Sequence, residues 1–342
     1  MSISSRQRAL IAVGILLCIV ALGAGVYFYR LRGSLAPPVS GRAPDLLSQL
    51  PADPPVVAYI DVAALRGLQH SPWAALLGLT SPGPQVDSDY AEFVRQTGFD
   101  YTRDLDRLAV AVWPSGGEGI CNGSPCNRIV AIVEGRFNQA KIKALSSRTL
   151  PASGNQVVYE AAGKVDAWFE FLSATRLALS TASTALPIAG TPALDPATRS
   201  RIERVAGAPM FAVARLDNLP SSFYANLKSL PEFDRVARSV RSLSLAGRPD
   251  GDNIKVALDA ECDSAKGALE LATLLDGLRL FGGVELANPK TRRQMTPEQW
   301  AFLKALLDHV KVTHQDQWVR LGLDITPEML QAGSSSSAAA RR

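Results

Sequence analysis

Histidine and cysteine are scarce, with 3 and 4 residues respectively in a chain of 342. A zinc centre takes about four nitrogen or sulfur ligands, so it would use most of that supply. Several catalytic signatures are also missing: no G-x-S-x-G elbow, S-x-x-K, H-E-x-x-H, Walker lysine loop or G-x-G-x-x-G turn occurs. His309 and His314 stand five apart, which does not place them on one helix face, so they read as polar residues leaving a helix towards a strand. No catalytic residue, cofactor-binding residue or metal ligand is therefore assigned, and an enzyme is not the expected class.

Acidic residues are absent from positions 1–42, which hold Arg6, Arg8, Arg30, Arg32 and Arg42. The remainder has 36 − 5 = 31 basic against 32 acidic residues. A near-neutral body argues against the clustered basic face of a nucleic-acid binder. What charge excess there is belongs to the N-terminal region.

That region carries an uncharged apolar run, Ala9–Tyr29. As a helix its 21 residues reach about 31 Å, close to the hydrocarbon thickness of a bilayer. Tyr27, Phe28 and Tyr29 supply an aromatic edge. The spacing predicts a transmembrane anchor over 1–32, touching lipid through 9–29, then a Pro- and Gly-containing spacer over 33–43. A cleaved signal peptide is the competing reading, with Ala21 and Gly23 as small residues before a cut. The Ser- and Ala-rich residues 334–342 read as a disordered tail.

Between these ends, where 47% apolar content overall leaves room for a core, the body is written twice. PPVVAYIDVAAL (54–65) matches PMFAVARLDNL (209–219), setting Asp61 on Asp217. FDYTRDLDRLAVAV (99–112) matches FDRVARSVRSLSLAG (233–247), and NRIVAIVEGRFNQAK (127–141) lies over DNIKVALDAECDSAK (252–266). Trp168 is matched to Trp318. Each copy reads strand, helix, strand, strand, helix, then strand, which predicts an α+β fold of two tandem ferredoxin-like (split βαβ) repeats, 44–190 and 191–333. Helix signals are local: Ser71 and Pro72 open one helix, Thr296 and Pro297 another. Asp61 and Asp217 each end a strand and read as helix N-caps, and the interleaved charges of FDYTRDLDR read as a solvated turn.

The stretches LLSQLPADPPVVAYIDVAALRG and GFDYTRDLDRLAVAV resemble a style of membrane-anchored bacterial envelope protein of uncharacterised function. The resemblance covers most of the body and carries no catalytic motif. It implies an envelope setting.

Cys121 and Cys126 lie in GEGICNGSPCNRI, where the first copy has about ten residues more than the second. Copy two makes the same connection with the compact turn GRPDGDN. Two ligands are too few for zinc, and the four-residue spacing is not that of a dithiol oxidoreductase. A disulfide across the loop is the expected state in an oxidising compartment, contributing about 2 kcal/mol, mostly to loop order. Trp113 at the base, with Asn122 and Ser124 at the tip, would then form a partner-binding loop. Cys262 reads as a buried free thiol at the start of a helix.

These readings converge on a single-pass, membrane-tethered protein whose body faces the periplasm or cell exterior and binds an envelope protein or assists assembly. The alternatives are an envelope hydrolase with its site between the two copies, and a structural subunit of a larger envelope complex.

Overall fold

A computed structural model describes residues 43–66, 88–113, 119–121, 124–126, 128–144, 146–151, 157–161, 168–181, 194–217, 235–293 and 295–329. The apolar run at 9–29, the helix read at 71–78, Asn122 and the tail lie outside them. No helix among the described residues is long and apolar enough to cross a membrane. The fold is α+β, dominated by antiparallel sheet. It divides into an N-terminal unit, described over 43–66 and 88–217, and a C-terminal unit over 235–329.

The N-terminal unit opens with the short helix α1 (Ala43–Leu47), strand β1 (Val56–Asp61) and helix α2 (Val62–Arg66). Helices α3 (Ser88–Thr97) and α4 (Tyr101–Asp104) lead into β2 (Leu105–Trp113). A small hairpin, β3 (Gly119–Cys121) and β4 (Ser124–Cys126), precedes β5 (Arg128–Gly135). Helix α5 (Gln139–Lys143) follows, then β6 (Ser146–Pro151), β7 (Val157–Ala161), β8 (Trp168–Phe171) and β9 (Arg176–Ser180). Helix α6 (Pro196–Val205) and β10 (Met210–Arg215) close it. Its strands lie in the order β10-β1-β2-β5-β9-β8-β7-β6.

This order corrects the ferredoxin-like expectation. In a split βαβ unit the helix-linked strands run parallel with another strand between them. Here β1 and β2, with helices α2, α3 and α4 among the described residues between them, are immediate antiparallel neighbours from Val56↔Val112 to Asp61↔Arg107. Strand β10, which the duplication reading gives to the second copy, pairs with β1.

Strand alternation sorts the side chains. Val57, Tyr59, Ala109, Ala111, Val130, Ile132 and Ala178 occupy opposed positions along one face and are almost wholly buried. Tyr59 stacks on Phe211 across the strand pair at 5.4 Å between ring centroids. The other face has a second cluster of Val133, Ile142, Phe169 and Leu177, with Phe137 and Phe171 packed against it. Gly135 ends β5 where a Cβ would stand 2.3 Å from the Asp104 carbonyl oxygen, so only glycine lets the two segments meet.

The C-terminal unit starts with β11 (Val240–Asp250) and β12 (Asn253–Cys262), joined at Gly251, whose φ of +59° suits glycine at the head of a two-residue hairpin turn. The long helix α7 (Ala265–Ala287), the single turn α8 (Pro289–Arg292) and α9 (Pro297–His309) come next. Strands β13 (Val310–Gln315) and β14 (Trp318–Ile325) complete the order β11-β12-β14-β13. Thr296 caps α9 as expected, and Gln299 closes the box by reaching back to the Thr296 backbone N–H.

Candidate functional site: a charge ladder across four strands

The strand registers that bury the apolar face also set charges opposite one another. Asp61 on β1 faces Arg107 on β2, Arg107 faces Glu134 on β5, and Glu134 faces Arg176 on β9. Signs alternate along the whole row. Arg107 ion-pairs with Glu134, and Arg176 Nε donates to the second Glu134 oxygen at 3.1 Å. The Arg176 guanidinium goes on to pair with Asp45 of α1. At the other end Asp61 accepts from the Ala64 backbone N–H at 2.7 Å, capping α2 as its sequence position implies. The Tyr59 hydroxyl donates to Asp61 at 3.3 Å, and burial, then the Asp61 charge, pushes that phenol far above its ordinary value.

Asp217, matched to Asp61 in sequence, is exposed, and the residues it would cap lie outside the described ones. The FDYTRDLDR stretch is also less solvated than expected. Asp104 is buried and accepts from Arg103, with Arg136 3.5 Å away; the Arg103 hydrogen bond, against the opposing effect of burial, holds its carboxyl below the usual range. Asp100 caps α4 through Thr102, and Asp106 pairs with Arg66 at 3.0 Å.

The C-terminal unit has a shorter version of the ladder. Asp259 on β12 is buried opposite Arg320 on β14, and the guanidinium grips both carboxylate oxygens at 2.6 Å. The residue facing Asp259 on β11 is Ser244, where the N-terminal unit has an arginine.

Chemically, these carboxylates are saturated. An arginine stays charged at any working pH and cannot exchange protons, so the rows fix sheet register rather than transfer protons. Glu170 differs: it is 2% exposed on β8, its Oε2 has no partner among the described residues, and burial raises its carboxyl above the usual range. It faces Ala178 across the sheet, an apolar neighbour with no charge to offer. Among the described residues no group of three or more His, Cys, Asp and Glu is poised to hold a metal.

The loop residues singled out by sequence are only partly visible. Trp113 ends β2 opposite Arg128, whose guanidinium lies 4.2 Å from the ring centre. The segment beyond it contains a backbone hairpin in which Cys121 faces Ser124 and Cys126 faces Gly119. The two cysteines are thus diagonal, a relation that separates Cα atoms by about 7–8 Å, whereas disulfides span about 4.4–6.8 Å. A Cys121–Cys126 bridge calls for a local change of this register. Cys262 is a buried free thiol as expected, but it ends β12 rather than beginning a helix. His309 Nδ1 lies 2.8 Å from the Ala305 carbonyl oxygen at the end of α9, and His314 is exposed on β13.

No protein-family model and no curated protein matches this chain. Among solved structures it is similar to crystal form III of TP0453, at 11% identity and a TM-score of 0.46, covering 87% of this chain and 100% of that one. Crystal form I of TP0453 matches with a TM-score of 0.42 and the same 11% identity, over 86% and 97% of the two chains. Similarity at this level assigns neither a fold family nor an activity.

Proposed function

We propose that this is a membrane-tethered, extracytoplasmic binding or envelope-assembly protein. The observation that carries the reading is the apolar run Ala9–Tyr29, bounded by arginines, with no acid before position 43 and a spacer leading to the folded body. The body is two copies of one α/β module in tandem. In support, the alignment that lays 127–141 on 252–266 sets Glu134 on Asp259, and each of these carboxylates meets an arginine on the strand paired with its own. By that alignment strand β9 corresponds to β14 and Arg176 to Arg320, whereas the Trp168–Trp318 match links β8 to β14.

The partner is an envelope protein, engaged by the segment between Trp113 and Arg128, with Asn122 and Ser124 at its tip. Deleting 115–126 and repeating a crosslinking experiment on intact cells tests this. Loss of one crosslinked species is expected, and an unchanged profile removes the loop from the account.

A further inference from the structure

Helix α7 is apolar on two sides. Gly267, Ala268, Ala272 and Leu286 are buried against the unit, as a surface helix requires. The outward face should then be charged, yet it carries Leu269, Thr273, Gly277, Leu280, Phe281 and Val284, all exposed and none charged. Leu269, Leu280, Phe281 and Val284 are 51%, 58%, 38% and 68% exposed, and they are the exposed large hydrophobics among the described residues. Of the helix's charges, Lys266 alone stands exposed on this face, at its N-terminal end, while Glu270, Asp276, Arg279 and Glu285 fall at half-buried positions. From Leu269 onward the outer face carries no exposed charge, unlike that of a solvated helix.

The surroundings identify what fits this face. Directly after α7 come Lys290, Arg292 and Arg293, all exposed, and no acidic residue occurs between Glu285 and Glu298. Trp300 lies beside them: Arg292 stands 4.6 Å from its ring centre, and its indole N–H donates to the Leu286 carbonyl oxygen. An apolar stripe that runs into cations and an indole just past its C-terminal end combines the two contacts an anionic bilayer surface offers, acyl chains and phosphates. The stripe's large apolar content is four partly exposed side chains, a smaller patch than the ~800 Å² that each partner contributes to a stable protein interface.

We propose that the outer face of α7 lies on an anionic phospholipid surface, as a second membrane contact besides the anchor. This rests on the tethered reading and extends it. Phe281 and Val284 enter the acyl boundary, while Lys290, Arg292 and Arg293 meet lipid phosphates.

The test uses the full chain reconstituted in vesicles of phosphatidylcholine with one third phosphatidylglycerol, doped with a phospholipid bearing an acyl-chain diazirine. Irradiation and peptide mass analysis then locate the lipid adducts. Adducts are expected in 269–284 as well as in 9–29. Those in 269–284 should fall roughly tenfold in a Leu280→Glu/Val284→Glu variant and several-fold in vesicles without phosphatidylglycerol. A Thr273→Glu/Gly277→Glu variant gives the same reading independently of folding effects, since a Cβ at Gly277 meets nothing within 4 Å. Adducts in 9–29 alone overturn the α7 contact and leave the tether standing. Adducts in 269–284 alone uphold the contact and overturn the tether. Protein–protein crosslinks at α7 without lipid adducts, whether to a second copy or to residues 9–29, overturn the contact.

Discussion

Replacing Glu134 by alanine tests whether the charge ladder holds the N-terminal sheet. Glu134 stands between two arginines, and the side chains of Arg107, Glu134 and Arg176 are 10%, 16% and 21% exposed. At an effective dielectric of 20 each contact is worth about 5 kcal/mol of Coulomb attraction, most of it offset by desolvation. Removing the shared anion takes one carboxylate partner from each of two guanidiniums that are largely shielded from solvent. Breaking a buried pair in this way costs about 3–5 kcal/mol. Arg107 still faces Asp61 and Arg176 keeps Asp45, so the lower end, about 3 kcal/mol, is expected. In urea unfolding this is a midpoint shift of about 1 M or more. Glu134→Gln, which keeps volume and an acceptor, should cost about half as much. Arg107→Met/Glu134→Met should cost less than the sum of the two single replacements, because the two charges of that pair leave together. The exposed pair Lys304–Asp308 is the control: its side chains are 52% and 56% exposed, and Lys304→Ala should cost under about 0.5 kcal/mol. If Glu134→Ala falls within that control range, the ladder is ornamental and the argument fails.

Three further outcomes follow from the same packing. Gly135→Ala should cost about 2–3 kcal/mol by thermal or urea unfolding, since the added methyl meets the Asp104 carbonyl oxygen; a neutral variant would show that the two segments can part freely. Glu170 has a folded-state pKa above its unfolded value, so its contribution is intact below about pH 4.3 and is lost as pH rises through the window above. Glu170→Gln should therefore gain about 1 kcal/mol at pH 7.5 relative to its effect at pH 4; equal effects at both pH values would contradict an unpaired buried carboxylate. Asp104 is the opposite case, with its folded-state pKa lowered chiefly by Arg103, so its contribution is present above about pH 3.9 and is lost as pH falls below it. Asp104→Asn should cost about 1–2 kcal/mol at pH 7 and flatten the acid limb; an unchanged acid limb would assign it no such role.

Legibility in the sequence follows range. The α9 capping box and the Gly251 turn are written in residues within three or four of each other, and both can be read from the chain alone. Strands β1, β2, β5 and β12 are visible as β-branched runs, but their neighbours are not, because helices between β1 and β2 leave open whether the chain returns parallel or antiparallel. The ladder depends on that missing information: Arg107 and Glu134 are 27 residues apart, and only the register brings them together. FDYTRDLDR looks solvated because composition does not say which residue faces inward; in the fold Asp104 and Arg107 are buried while Arg103 is exposed. One local signal sits beside the cysteine spacing. Asn122-Gly123 between Ile120-Cys121 and Ser124-Pro125 is a strong two-residue hairpin signature, and by itself it sets the two cysteines diagonally. The outer face of α7 is illegible for a different reason. A long apolar helix is expected to bury its apolar residues, and nothing in its own sequence says which of its two apolar sides meets the sheet.

Topology in a cell envelope tests the central claim most directly. The full chain would be expressed in a Gram-negative host, converted to spheroplasts, treated with external protease, and the membranes washed with alkaline carbonate. The account predicts that the protease digests the body from about residue 33 onward, while a fragment containing 9–29 stays in the washed membrane. A body protected until the inner membrane is breached, or a full-length chain released by carbonate, would contradict it.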